Sequence, residues 1–269
     1  MNLRPSKLAD FIGQEHIKRL LSISIQAAKS RGDALNHVLL SGPAGIGKTT
    51  LAFIIAQEMG AKCQVINGAT IQEMSALEEI FRNLAPFDVV FIDEIHRLPR
   101  QLEEFLYHPM EDRIMTERVE VLAPSEMAAY IDLTDEIAPE LLMFYPGYKE
   151  KRWEKTGKYT MKEVKLPSFT LVGATTQPGD LSKPLRDRFQ LSLPRLRYYS
   201  VDELVTITRQ KARMLNLTIT DEASRMLAKC SGGVPRICVN FILRCRDLWT
   251  SMSSMVLLKT WSIMCLDSY

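Results

Sequence analysis

The sequence predicts an α/β fold, a doubly wound parallel sheet followed by a small helical domain. Three observations carry this expectation. Short apolar runs occur without polar alternation, as strands buried on both faces of a parallel sheet require. Helical or irregular sequence separates successive runs. Beyond Leu193 only helical periodicity remains.

From Glu15 to Lys29 the residues Ile17, Leu20, Leu21, Ser24, Ile25 and Ala28 recur at helical spacing, which predicts an amphipathic helix. His37 to Ser41 reads HVLLS, an apolar run that meets a glycine and gives way to helical sequence from Lys48 to Met59: strand, turn, helix. QVIN at 64–67, VVFID at 89–93 and FTLVGATT at 169–176 repeat the strand signal. The later helices are VDELVTITRQKARML, DEASRMLAKC and PRICVNFILRCRDLW, with Gly232 and Gly233 between the last two. The expected division is a large α/β domain over 1–195 with an insertion at about 113–165, a small helical domain over 196–250, and a tail over 251–269.

At 269 residues, 46% hydrophobic and 25% charged, the chain has the composition of an ordinary globular protein. A net charge of +2 gives no global electrostatic case for nucleic acid, so any such contact must be local. The five cysteines form no C-x-x-C pair and read as reduced thiols rather than disulfides or metal ligands. MNLRPSKLAD opens no signal-peptide apolar region, and no uninterrupted apolar run reaches the ~18 residues a membrane helix needs. A cytoplasmic location without membrane contact is the expectation.

Residues 42–49 read GPAGIGKT, a complete G-x-x-x-x-G-K-[ST] motif in the strand-to-helix context its mechanism demands. Gly42, Gly45 and Gly47 permit the tight turn that converges backbone N–H groups on phosphate oxygens, and the helix start adds its positive end. Lys48 supplies a point charge to the β and γ phosphates of ATP. The Thr49 hydroxyl is positioned to coordinate Mg²⁺, and Thr50 to reach a phosphate oxygen. VVFIDEIH ends a buried strand in two carboxylates: Asp93 to orient the hydrated metal, Glu94 to polarise the attacking water as general base.

Taken in order, GPAGIGKTT, FIDEIHRL, LVGATT, PLRDRF and GVPRI resemble the RuvB family of AAA+ P-loop ATPases, and LRPSKLADFIGQEHIK resembles that family's start. The resemblance runs from Leu3 to about Trp249 and implies an AAA+ fold with a helical lid. It puts Leu3, Arg4, Phe11 and Ile12 around adenine and ribose, with Tyr199 approaching from the lid. It makes Thr176 the sensor 1 residue, Arg188 the arginine finger acting on a neighbouring subunit with Arg186 beside it, and Arg236 the sensor 2 arginine. It further implies a homo-oligomeric, hexameric ring, a RuvA-like adaptor, and force on branched DNA in recombination and repair.

Three departures accompany the resemblance. The segment from Met110 to Leu166 is longer than the family's short adaptor-docking hairpin. Its basic part, with Lys149, Lys151, Arg152, Lys155 and Lys158 interleaved with Trp153 and Tyr159, reads either as a phosphate-contacting surface or as a solvated charge run. The chain stops at Tyr269 with no winged-helix module, so the expected DNA contact is weak or indirect. Residues 255–269 depart from the family pattern, for which a frameshift in the coding DNA is one account. The leading function is therefore an ATP-driven DNA motor subunit. The alternatives are an ATP-binding interaction module, an inactive truncated relic, or a clamp-loader-like ATPase.

Overall fold

The protein is described from a computed structural model, which covers residues 3–124 and 153–251. Helix α1 (Glu15–Arg31) precedes strand β1 (Val38–Ser41), α2 (Lys48–Met59), β2 (Cys63–Asn67), α3 (Met74–Arg82) and β3 (Val89–Asp93). Then come α4 (Arg100–Phe105), α5 (Tyr107–Glu111), β4 (Ile114–Pro124), β5 (Trp153–Lys165), β6 (Thr170–Thr175), α6 (Lys183–Asp187) and β7 (Leu191–Ser192). Three helices follow: α7 (Val201–Met214), α8 (Asp221–Cys230) and α9 (Pro235–Ser251).

Five strands form one parallel sheet in the order β2, β3, β6, β1, β7. The chain leaves β1, crosses to β2 and β3, and returns to insert β6 between β3 and β1. The C-terminal ends of these three strands are therefore neighbours, with Ser41 opposite Thr175 and Ile92 opposite Gly173. Glycine-rich turn, paired carboxylates and the GATT threonines thus reach one edge of the sheet from distant parts of the sequence. In open α/β sheets that edge is where ligands bind.

The expected absence of alternation has a clear cause. Val89, Val90, Phe91 and Ile92 are fully buried, as is every residue of β6, because both sheet faces are covered. Helix α2 is apolar nearly all round: Leu51, Ile54 and Ile55 are inaccessible to solvent, and the helix packs against both α1 and the sheet. Each such side chain contributes about 2 kcal/mol through area removed from water.

The helical domain is set by its caps. The Ser200 hydroxyl accepts from the Glu203 amide and the Glu203 carboxylate accepts from the Ser200 amide, a reciprocal pair that starts α7. Thr220 caps α8 in the same way on one side. Helices α8 and α9 both pack on α7.

Of the described residues, those up to Arg113 and from Leu166 onward form one compact unit and those within Ile114–Lys165 a second. The second is an antiparallel ladder of β4 and β5, with an irregularity between Glu120 and Leu122. The acidic and apolar part of the insertion, with Lys149, Lys151 and Arg152, lies outside the described residues. So do the side chains of Trp153, Lys155, Lys158 and Tyr159, and the tail over 252–269. Among the described residues Cys63, Cys230, Cys238 and Cys245 are free thiols, and no helix is long and apolar enough to cross a membrane.

Candidate functional site

The site is built on the first turn of α2. Lys48 is buried, and its Nζ donates to the carbonyls of Gly42 (2.8 Å) and Pro43 (2.9 Å), so the ammonium is folded back over the loop that precedes it. Burial pushes the Lys48 pKa down. The charges of Glu94 and Asp93 oppose that fall and the Arg236 guanidinium adds to it. A cation from the lid and two carboxylates at the end of β3 therefore bear on the same ammonium.

The loop itself depends on its glycines. Gly45 has φ +77°, and a Cβ there would stand 2.8 Å from Val234 Cγ1 and 3.1 Å from Arg236 Cβ. Gly47 has φ +106° and would place a Cβ 3.0 Å from the Phe11 ring. Both positions combine a backbone conformation other residues resist with a close approach from another segment. The lid touches this loop directly, since the Arg236 amide donates to the Gly45 carbonyl (3.2 Å).

A cleft of about 350 Å³ opens beside the loop. It brings together Leu3, Arg4, Phe11, Ile12, Gly45, Gly47, Lys48, Thr49, Thr50, Asp93, Glu94, Tyr199 and Arg236. Arg4 also lies over the Phe53 ring at 5.1 Å, and the Tyr199 hydroxyl donates to the Ile46 carbonyl (3.2 Å). Burial raises the Tyr199 pKa, so this phenol is a neutral donor.

The two carboxylates differ in setting. Asp93 ends β3, and its Oδ1 accepts from the Glu94 amide (3.1 Å). Glu94 turns the chain in a left-handed conformation, φ 49°, and its Oε2 accepts from the Thr176 hydroxyl at 3.0 Å. Thr176 is not among the cleft-lining residues but touches one that is.

Arg186 and Arg188 do not line this cleft. Arg186 is exposed. Arg188 stacks over the Tyr107 ring at 4.3 Å and pairs with Glu111 Oε2 at 2.7 Å, while its Nη1 donates to the Pro184 carbonyl. Among the described residues its buried Nε has no hydrogen-bond partner.

Sequence reasoning missed part of the cleft. Asp10, Ile207, Gln210, Lys211 and Asn240 line it as well. Ile207 and Lys211 lie one turn apart on α7 and so share a face. Lys211 is buried, and burial lowers its pKa against the opposing charge of Asp10. No local motif marks these residues; only the tertiary packing of α7, α9 and the N-terminal segment around the cleft selects them.

The comparisons agree along the chain. The model described as the Holliday junction DNA helicase RuvB P-loop domain matches residues 3–134 and 154–195, and the RuvB AAA lid domain model matches residues 199–268. The Holliday junction branch migration complex subunit RuvB of Prochlorococcus marinus (strain MIT 9303) is 40% identical over 246 residues, which are 91% of this chain and 60% of that protein. The same subunit from Synechococcus sp. (strain CC9605) is 40% identical over 91% of this chain and 61% of its own length. Among solved structures, the Thermotoga maritima RuvB Holliday junction branch migration motor superposes with a TM-score of 0.70 at 38% identity, covering 93% of this chain and 67% of that one. The chain spans about 60% of the length of the curated relatives it matches. On these matches, and with the parallel sheet, phosphate loop and lid they presuppose, the chain belongs to the RuvB family of AAA+ P-loop proteins.

Proposed function

We propose that the chain hydrolyses ATP with Mg²⁺ as the motor subunit of a hexameric ring, acting on branched DNA in recombination and repair through a RuvA-like adaptor. The observation that carries this reading is the convergence of Lys48, Thr49, Asp93 and Glu94 on one cleft, bounded from the lid by Arg236. A cytoplasmic location accompanies it.

In this reading Lys48 exchanges the Gly42 and Pro43 carbonyls for β and γ phosphate oxygens, while the N–H groups around Gly45 and Gly47 take the remaining phosphate charge. Thr50 adds a hydroxyl to a phosphate oxygen. Leu3, Arg4, Phe11, Ile12 and Tyr199 enclose the base and ribose. Thr49 and Asp93 offer a hydroxyl and a carboxylate, a hard-oxygen pair suited to Mg²⁺, which when bound neutralises charge across the β and γ phosphates.

Glu94 takes the proton of a water as the water oxygen bonds to the γ phosphorus. The bond to the bridging oxygen breaks, and its electron pair leaves on ADP. Thr176 holds one oxygen of Glu94 while that happens. Arg236 couples the γ phosphate to lid angle. Arg188, with Arg186 beside it, serves the neighbouring subunit, where it stabilises charge in the transition state. That Arg188 does not line its own cleft supports action in trans.

The test is steady-state phosphate release together with nucleotide binding. Glu94→Gln is expected to bind ATP as tightly as wild type and to release phosphate at least ~100-fold more slowly, the loss typical of a removed general base. Addition of a four-way junction with RuvA is expected to raise wild-type turnover; stimulation by a sliding clamp and not by the junction would transfer the chain to a different task.

A further inference from the structure

We infer that His96 is a positioning residue for hydrolysis, sharing its Nδ1 proton between Thr175 Oγ1 and Glu94 Oε2 so that the Glu94 carboxylate is held from two sides. The inference rests on the reading of Glu94 as general base. After β3 the left-handed turn at Glu94 leads into a single helical turn over Ile95–Arg97, which brings His96 back against the carboxylate two residues before it. His96 Nδ1 lies 3.0 Å from Thr175 Oγ1 and 3.4 Å from Glu94 Oε2. The same Oε2 accepts from the Thr176 hydroxyl at 3.0 Å.

Thr175, the last residue of β6, and Thr176, which follows it, therefore grip one carboxylate oxygen, Thr176 directly and Thr175 through the imidazole. Thr175 is a rigid anchor: it is fully buried and its Oγ1 also accepts from the Gln177 amide at 3.0 Å. The imidazole is itself confined, with only 8% of its side chain exposed. A carboxylate only accepts, so an attractive contact with Oε2 requires the ring proton on Nδ1. At 3.4 Å the carboxylate is the longer of the two acceptors, and Thr175 fixes the ring so that it can serve both. Among the described residues no hydrogen bond is made to Glu94 Oε1, which leaves that oxygen to face a water. A general base free to swing between rotamers spends less time in reach of its proton; anchoring one oxygen removes that freedom.

The experiment compares wild type with His96→Ala, His96→Asn and His96→Gln. The expected result is a fall in kcat of about 10- to 100-fold in His96→Ala with KM for ATP within about twofold of wild type, since the residue acts on the base and not on nucleotide binding. Asn places a nitrogen donor near the Nδ1 position and restores kcat to within about threefold, whereas Gln reaches past it and does not. A merely structural histidine would lower stability and KM-dependent binding without this order of rescue. Wild-type turnover that survives Lys48→Ala would sink the ATPase reading itself. Independently of turnover, the ring ¹⁵N shifts of His96 are expected to report a proton on Nδ1 and to move in Glu94→Gln. Shifts of a ring protonated on Nε2 alone and unmoved by Glu94→Gln, or full kcat in His96→Ala, overturn the inference. If His96→Ala does not fold, the shift measurement decides.

Discussion

Acidification should destabilise this protein through His37 before it reaches most of the carboxylates. His37 is buried just ahead of β1, its Nδ1 accepting from the Leu171 amide at 2.9 Å and its Nε2 bonded to the Met110 carbonyl at 3.0 Å. The Leu171 amide can only donate, so the ring is the neutral form with its proton on Nε2. It also packs against Phe169 with ring centroids 5.3 Å apart. Burial pushes the pKa down from 6.5 to about 4; the Met110 bond opposes the fall and the Arg113 charge adds to it. The folded pKa lies below the unfolded one, so the stabilisation is complete above pH 6.5 and is lost as pH falls toward 4. By linkage the loss totals about 3 kcal/mol, a large share of a typical domain's stability.

The assay is urea unfolding at intervals from pH 7.5 to 4.5, for wild type and His37→Asn. Asn keeps an acceptor near Leu171 and leaves the Met110 carbonyl unpaired, at a cost of about 1–3 kcal/mol at pH 7.5. It carries no charge to gain, so the gap between the two proteins should close as pH falls and the curves should meet or cross near pH 4.5. Parallel curves across the whole range would refute the reasoning, as would an NMR titration of the ring near 6.5. The consequence reaches the site. His37 joins the helix that carries Tyr107 and Glu111, on which Arg188 rests, to the strand that ends in Thr175, just before Thr176.

Three other outcomes are expected. Gly45→Ala should weaken ATP binding by at least about tenfold in a direct titration while leaving the rest of the sheet folded, because its Cβ meets Val234 and Arg236 in a left-handed backbone. Arg188→Ala should bind ATP yet lose turnover by about 10³-fold, and mixing it with Glu94→Gln subunits should recover part of the rate, since one of the mixed interfaces then joins an intact base to an intact finger. No recovery at any mixing ratio would argue against action in trans. Tyr199→Phe removes the hydroxyl bonded to the Ile46 carbonyl and should lower stability by about 1 kcal/mol in urea, with a lid that opens more readily by hydrogen exchange.

What the sequence disclosed and what it withheld divide along a physical line. VLLS, VVFID and TLVGAT are legible because strands buried on both faces leave unbroken apolar runs, and α2 is legible because a complete phosphate-loop motif fixes its first turn. Strand β7 is two residues long and has no pattern to read. Helices α4, α5 and α6 span only five or six residues each, too short for a helical period to repeat. The half of the cleft formed by the glycine-rich loop and the paired carboxylates lies in contiguous motifs. Its other half is assembled by tertiary packing: Asp10 and Lys211 both line the cleft but are far apart in sequence, and nothing local to either announces it. The bed of Arg188 is of the same kind, since Tyr107 and Glu111 come from a helix whose sequence carries no motif, and the pairing of His96 with Thr175 depends on β3 and β6 being neighbours.

Mg²⁺-dependent phosphate release per subunit, followed as protein concentration is raised, decides the proposal that this cleft hydrolyses ATP at a site completed by a neighbouring subunit. The rate is expected to climb with concentration to a plateau and to vanish in Lys48→Ala. Tight ATP binding with no release at any concentration, or a per-subunit rate independent of concentration and indifferent to Arg188→Ala, would contradict it.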